Sequence, residues 1–257
     1  MLKLLFILSI ILFFPPNYLL ANKIIRPPQK FFSTSIGGGL ALSQNIRKNN
    51  LTKIFGKSYQ NKKVTYLPIP IVSMKIGRFR TSAMGLTFDA YQSPLWGVDL
   101  LLMYTGDKYK ADLMQSRKKS VFLGINGRFH IIECSYIRDV QSISHGGIFT
   151  ISSSPRIALT KKIHLNVKTG IRFYSKNYVD YYFGVKDHKV IIGDRDSYSG
   201  KSSTAFFINP GMMYFFSPTF MLMAGVGIDF YSNGIYSSPT VTRKTKLSGM
   251  LGLIYKI

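Results

Sequence analysis

His145 stands one residue from Ser144 and three from Ser142, the one place where an imidazole and hydroxyls lie close enough along the chain to suggest a nucleophile with its base. A hydrolase built on a barrel wall needs that pair held by neighbouring strands. This stretch reads as a polar connection, so a solvated loop histidine is the simpler account. His130, His164 and His188 have no second histidine, cysteine or carboxylate at a metal-ligand spacing. Asp194 and Asp196 are two apart in a segment that also carries Lys189 and Arg195, which reads by default as an exposed charged loop rather than a cation site. Gly37-Gly38-Gly39 lacks the Lys-Ser/Thr that completes a phosphate loop, and close packing between strands explains it better. Cys134 is the one cysteine, so no internal disulfide forms, and it reads as buried or lipid-facing and inert. These residues predict no catalytic group, no metal and no cofactor.

What remains is charge arranged on faces. In residues 163–173, Ile163, Leu165, Val167, Ile171 and Phe173 alternate with His164, Asn166, Lys168, Gly170 and Arg172. A period of two is a β-strand with one apolar face and one charged face. Further segments repeat it: Trp96, Val98, Leu100, Leu102 and Tyr104 oppose a face that includes Asp99, and Phe220, Leu222, Ala224, Val226, Ile228 and Phe230 oppose one that includes Asp229. Barrel closure turns the polar faces inward, so His164, Asn166, Lys168, Arg172, Asp99 and Asp229 are expected to line a lumen. Cations beside acids there point to a plugged, hydrogen-bonded interior rather than a wide pore.

The chain ends in another alternating strand, with Leu247, Leu251, Leu253, Tyr255 and Ile257 on one face. Such a strand needs a neighbour on each edge, which closure supplies. Alternation places strands at about 32–42, 63–76, 79–89, 95–105, 119–127, 129–138, 146–156, 162–174, 203–216, 219–231 and 246–257. Bacterial barrels have even strand numbers. Twelve is therefore expected, with a strand hidden in 43–62 or 177–192, and ten is the alternative. Trp96 and Tyr104 share a face eight residues apart, about 26 Å of strand and roughly 20 Å of height at a tilt near 40°. The fold class is all-β, a transmembrane antiparallel up-and-down barrel over residues 32–257. Short turns at 127–128, 158–161 and 217–218 face the periplasm, and longer connections face outward. Pro68 and Pro70 each remove a ladder donor and mark a bulge or strand end.

Lys3, the apolar run Leu4–Phe14 and Leu19-Leu20-Ala21 resemble a secretory signal peptide. The expected cleavage leaves 1–21 as the signal and 22–31 as a periplasmic tail. The net charge is +23, from 34 Lys+Arg against 11 Asp+Glu. Without a basic helix or a nucleic-acid motif this implies an anionic membrane surface rather than nucleic acid. Outer-membrane lipid and lipopolysaccharide are the expected partners, with Lys108, Lys110, Arg117, Lys118 and Lys119 as candidate phosphate contacts.

Leu67-Pro68-Ile69-Pro70, Gly77-Arg78-Phe79, Tyr181-Tyr182-Phe183-Gly184-Val185, Ser237-Ser238-Pro239-Thr240-Val241 and the ending Gly252-Leu253-Ile254-Tyr255-Lys256-Ile257 occur in the order seen in one family. The chain resembles the MltA-interacting protein/OmpV family of outer-membrane proteins over roughly 31–257. The resemblance implies an outer-membrane barrel of a Gram-negative bacterium. It also implies a non-enzymatic scaffold holding a periplasmic lytic transglycosylase and a penicillin-binding protein together for cell-wall growth. A small-solute channel is the competing reading. The chain departs from such barrels in ending on Ile257 rather than Phe.

Overall fold

The structure, a computed structural model, describes residues 32–54, 57–58, 62–82, 85–111, 114–186 and 196–257. The expected signal peptide and tail, and also His188 and Asp194, lie outside these. The elements in chain order are β1 (Phe32–Gln44), β2 (Lys53–Ile54), β3 (Lys57–Ser58), β4 (Val64–Ile76), β5 (Phe79–Ser82), β6 (Gly85–Gln92), β7 (Trp96–Thr105), β8 (Ser120–Phe129), β9 (Ile132–Asp139), β10 (Gly147–Ser153), β11 (Arg156–Ala158) and β12 (Ile163–Tyr174). There follow helix α1 (Lys176–Phe183), β13 (Ser203–Phe215), β14 (Phe220–Tyr231), helix α2 (Asn233–Tyr236) and β15 (Thr245–Lys256). All strands but β2 and β3 form one antiparallel sheet that closes on itself through β1 against β15 and β10 against β12. β10 and β11 keep a single register on β12 (Ser153↔Thr169, Arg156↔Asn166), so they are one strand interrupted at Ser154-Pro155. The result is a closed barrel of twelve strands.

Among the described residues the twelfth strand lies in neither 43–62 nor 177–192. There the first holds the end of β1 with the two-residue β2 and β3, and the second enters α1. Instead the expected strand 79–89 is two strands, β5 and β6. Phe79 and Phe88 are nine apart, which puts them on opposite faces of any unbroken strand. In the barrel they pair across β5 and β6 and their rings pack 4.9 Å apart on the outer surface.

Outward residues make the apolar belt: Ile36 and Leu40 on β1, Leu100 and Leu102 on β7, Leu123 and Ile125 on β8, and Leu251 and Leu253 on β15 are all exposed. Aromatic rings mark its limits. Phe32, Phe79, Tyr91, Trp96 and Phe129 stand at one rim, and Tyr66, Tyr104, Phe149, Phe173, Phe206 and Phe230 near the other. Such girdles sit at the two lipid–water interfaces. Long connections crowd the second rim and short turns the first. The turn expected at 127–128 lies instead at His130-Ile131, because β8 runs on to Phe129, which pairs with Ile132. His130 takes the left-handed φ of 54° there, and Gly127 is an ordinary outward strand position.

The glycine run belongs to the β1–β15 seam. A Cβ on Gly39 would meet the Leu251 carbonyl oxygen at 2.6 Å, and one on Gly37 would collide with the Leu253 carbonyl oxygen. Gly38, which faces the other way, has open space around it. Gly39→Val should therefore abolish the compact, heat-modifiable band on an unboiled gel, whereas Gly38→Val should leave it in place. Equal behaviour of the two would remove the packing explanation.

Candidate functional site: a charge-lined lumen closed at one end

β12 carries His164, Asn166, Lys168 and Arg172 inward, opposite Met213, Gly211, Asn209 and Ala205 of β13. Lys168 Nζ lies 3.0 Å from Glu133 of β9, and Arg172 Nη1 lies 2.5 Å from Asp229 of β14. The Arg172 guanidinium also covers the Phe207 ring at 4.1 Å. His164 packs on Phe215, 5.0 Å between rings, near the turn rim. The six residues assigned to the lumen are thus inward, but they do not form one site. His164, Asn166 and Lys168 line the half towards the turns, and Arg172 with Asp229 lies under the loops.

Asp99 belongs to a second network. The register sets it directly across from Asp89, and both carboxylates are buried. Arg80 bridges them, with Nε 2.6 Å from Asp89 Oδ1 and Nη2 3.3 Å from Asp99 Oδ1, while Lys75 stands 3.5 Å from Asp89. Gln92 donates to Asp99 at 2.7 Å and Asn126 at 3.1 Å, and Arg128 donates to Gln92. Two facing carboxylates repel unless a cation sits between them, and Arg80 supplies it in forked geometry.

The loop end is filled by α1. Ser175 caps it by accepting from the Tyr178 N–H. One face of the helix then buries Tyr178, Val179, Tyr182 and Phe183. They pack against Phe122 of β8, Ile148 of β10, Tyr174 of β12, Ala205 of β13 and Tyr231 of β14, with Ile235 of α2 and Ile46 and Val241 from the loops. Each large side chain so buried stabilises the plug by about 2 kcal/mol. Burial pushes the Tyr178 and Tyr182 phenols well up. The helix end is latched. Ser238 donates to the Phe183 carbonyl at 2.6 Å, and Arg47 donates to the Tyr182 carbonyl at 3.0 Å and to Thr240 at 2.9 Å. Arg47 also pairs with Asp107 and lies 3.8 Å from the Phe183 ring centroid. The stretch 177–192 offered a signal for this helix, since Tyr178, Tyr182 and Phe183 follow a helical spacing after a capping serine. Arg47, Arg80, Asp89 and Asp107 carried no signal in sequence, because each acquires its role from a partner on another strand or loop.

Lys108, Lys110 and Lys118 are exposed at the loop rim, and Lys119 is half-buried, 5.9 Å from the Tyr104 ring. Arg117 departs from the expectation made for it. It is buried, donates 3.1 Å to the Gly184 carbonyl and lies 5.3 Å from the Tyr181 ring, and desolvation lowers its pKa. It braces the plug rather than reaching outward. Around His145 the hydroxyl of Ser144 donates 2.8 Å to Asp139, which also accepts from Ser120 Oγ and from the backbone N–H groups of Gln141, Ser144 and His145. The segment is a carboxylate-knotted turn with no serine–imidazole bond. Cys134 is exposed on the outer face of β9.

A sequence profile of the family described as MltA-interacting protein MipA matches residues 51–257. The chain is 27% identical over 247 residues to the "24 kDa outer membrane protein" of Pasteurella multocida (strain Pm70), covering 83% of this chain and 92% of that one. Among solved structures, the NanC porin is 9% identical, with a TM-score of 0.40, 87% of this chain and 100% of that chain covered. The outer-membrane channel DcaP of Acinetobacter baumannii is 8% identical, with a TM-score of 0.35 and coverage of 88% and 96%.

Proposed function

Since the chain belongs to the MltA-interacting protein MipA family of outer-membrane β-barrels, we propose that it is a non-enzymatic barrel whose lumen does not conduct and whose periplasmic end is a docking platform for cell-wall enzymes. One observation carries the reading: α1 is packed into the loop end of the barrel and latched by Arg47, Ser238 and Thr240. A pore would leave that end clear. The half towards the turns, by contrast, carries partly exposed charges, with the Arg80 and Lys168 side chains 41% and 42% exposed.

The family's name speaks of an interaction with MltA, a lytic transglycosylase, and the expected assembly adds a penicillin-binding protein. Short turns of such barrels face the periplasm. The contacts then fall on the turns at His130-Ile131 and Thr160-Lys161 and on the tail Asn22–Lys30, whose Lys23, Arg26 and Lys30 flank Pro27-Pro28. Full-length and tail-deleted barrels, each immobilised in detergent, should both be offered a purified lytic transglycosylase and a penicillin-binding protein. Retention by the full-length barrel, weakened by tail deletion or by Lys161→Glu with Lys162→Glu, is the expected result. If neither form retains either enzyme, the platform role is lost. A small-solute channel is the second reading, and it requires α1 to leave the lumen.

A further inference from the structure

The wall has a notch beside β4. β1 pairs with β4 over the whole of Val64–Ile76, but β5 pairs only with Met74, Lys75 and Ile76. From Leu67 to Ser73, among the described residues, no strand pairs on that side. β5 ends at Ser82, which pairs with Gly85 at the start of β6, and this last described pair forms a sill. The far jamb is β7, which continues past Met103 to Thr105. Above, residues 48–53 and 108–110 of the two long connections are bonded together as a lintel: Leu51 N–H to the Lys110 carbonyl, Lys110 N–H to Thr52 Oγ1, Tyr109 OH to the Lys48 carbonyl and Lys108 Nζ to the Lys53 carbonyl.

An open sheet edge at hydrocarbon depth is costly because its N–H groups have no water. Here the sequence removes two of the three between Leu67 and Ser73. The Met74 N–H points to β5, donating to Thr81 Oγ1 at 3.2 Å. Strand backbone groups alternate sides with a period of two, so Pro70 and Pro68 face the same edge, inside the notch. The two prolines, expected to mark a bulge or strand end, instead sit within an unbroken register on β1 and delete two of the donors that would recruit another strand there. β4 is also apolar on both faces beside the notch. Pro68, Pro70 and Val72 are exposed outward, and Leu67, Ile69 and Ile71 point inward, with Leu101 and Met103 on the inner face of β7. Lys48, Lys53, Lys62, Lys63, Lys108 and Lys110 are exposed on the lintel.

We propose that this notch is a lateral window from the outer leaflet into the lumen, and that its ligand is an acylated amphiphile whose phosphate headgroup is anionic overall. The lintel lysines bind the phosphates and an acyl chain passes Pro68 and Pro70 to lie on Leu67, Ile69 and Ile71. Charge complementarity selects the ligand, and the apolar lining behind an edge stripped of two donors suits a chain rather than a peptide strand. The site is independent of the periplasmic contacts proposed above.

Brominated acyl chains quench tryptophan on contact, so the passage can be read position by position. In a Trp96→Phe background, Ile69→Trp and Leu67→Trp report the inner side of the window, Val72→Trp the lipid face and Thr150→Trp the inner wall of β10. The full barrels, their folding checked by heat-modifiable migration, are reconstituted in vesicles of brominated phosphatidylglycerol or brominated phosphatidylcholine. The expected result in phosphatidylglycerol is quenching of the Ile69→Trp or Leu67→Trp reporter comparable to Val72→Trp, with Thr150→Trp dark to the quencher. It should be lost in phosphatidylcholine and after Lys62, Lys63, Lys108 and Lys110 are all changed to Glu. Inner reporters as shielded as Thr150→Trp overturn the window. Equal quenching by the anionic lipid and the zwitterionic one, which both carry a phosphate, overturns the anionic ligand, as does loss of the difference on adding inorganic phosphate at constant ionic strength, which would make free phosphate the ligand.

Discussion

Deleting α1, Lys176–Phe183, with a short Gly-Ser bridge in its place, should turn a silent barrel into a conducting one. The four buried side chains of the helix touch strands from β8 to β14, on both sides of the lumen, so among the described residues no other element spans the same gap. In planar bilayers the intact protein is expected to give no large steady current, and the deletion to give stepwise conductance. A subtler variant separates plug from latch. Arg47→Met leaves α1 its apolar contacts but removes the bonds to the Tyr182 carbonyl and Thr240 and leaves Asp107 without its cation. It should flicker between silent and conducting levels. Steady current from the unaltered protein would instead mean that α1 does not close the path.

Arg80→Leu should be the most destabilising single change in the wall. It strands Asp89 and Asp99, buried and directly opposed, with Lys75 the one cation left in ion-pair range among the described residues, 3.5 Å from Asp89. Breaking a buried ion network by removing one partner costs about 3–5 kcal/mol. In urea titrations of the folded barrel in detergent, the midpoint should fall accordingly. Asp99→Asn in the Arg80→Leu background should restore much of the loss, because the repelling pair becomes one charge and one hydrogen-bonding amide. An additive double variant would show that Arg80 acts through packing alone.

The alternation of β7, β12, β14 and β15 was enough to reveal the barrel, since a two-residue period is a property of each strand by itself. It also placed Lys168, Arg172, Asp99 and Asp229 on inner faces. It did not say which charges meet, because pairing across the lumen depends on register and stagger. Lys168 finds Glu133 from a strand thirty-five residues away in sequence, and Arg80 serves two acids on different strands. The split of 79–89 into β5 and β6 was written in the phase change between Phe79 and Phe88, and was hidden because both halves alternate properly. Arg117 was misjudged for the opposite reason. A loop cation reads as solvated, and only the fold of α1 over it makes it a brace for the Gly184 carbonyl.

The seam between β1 and β15 also sets the order of events in assembly. Its pairs run from Ser35↔Lys256 to Ser43↔Ser248, so strands from opposite ends of the barrel sequence meet there and nowhere is the join local. Every hairpin from β4 to β15 can form early and cheaply, but the ring cannot shut until its last strand is present, and contacts of such separation are slow to find. Until that moment the outward leucines, valines and aromatic rings face water on a curved, open sheet with two free edges. The nascent barrel is therefore an aggregation-prone species for the whole of its transit, and its yield is governed by how well it is shielded before closure rather than by how stable it is afterwards.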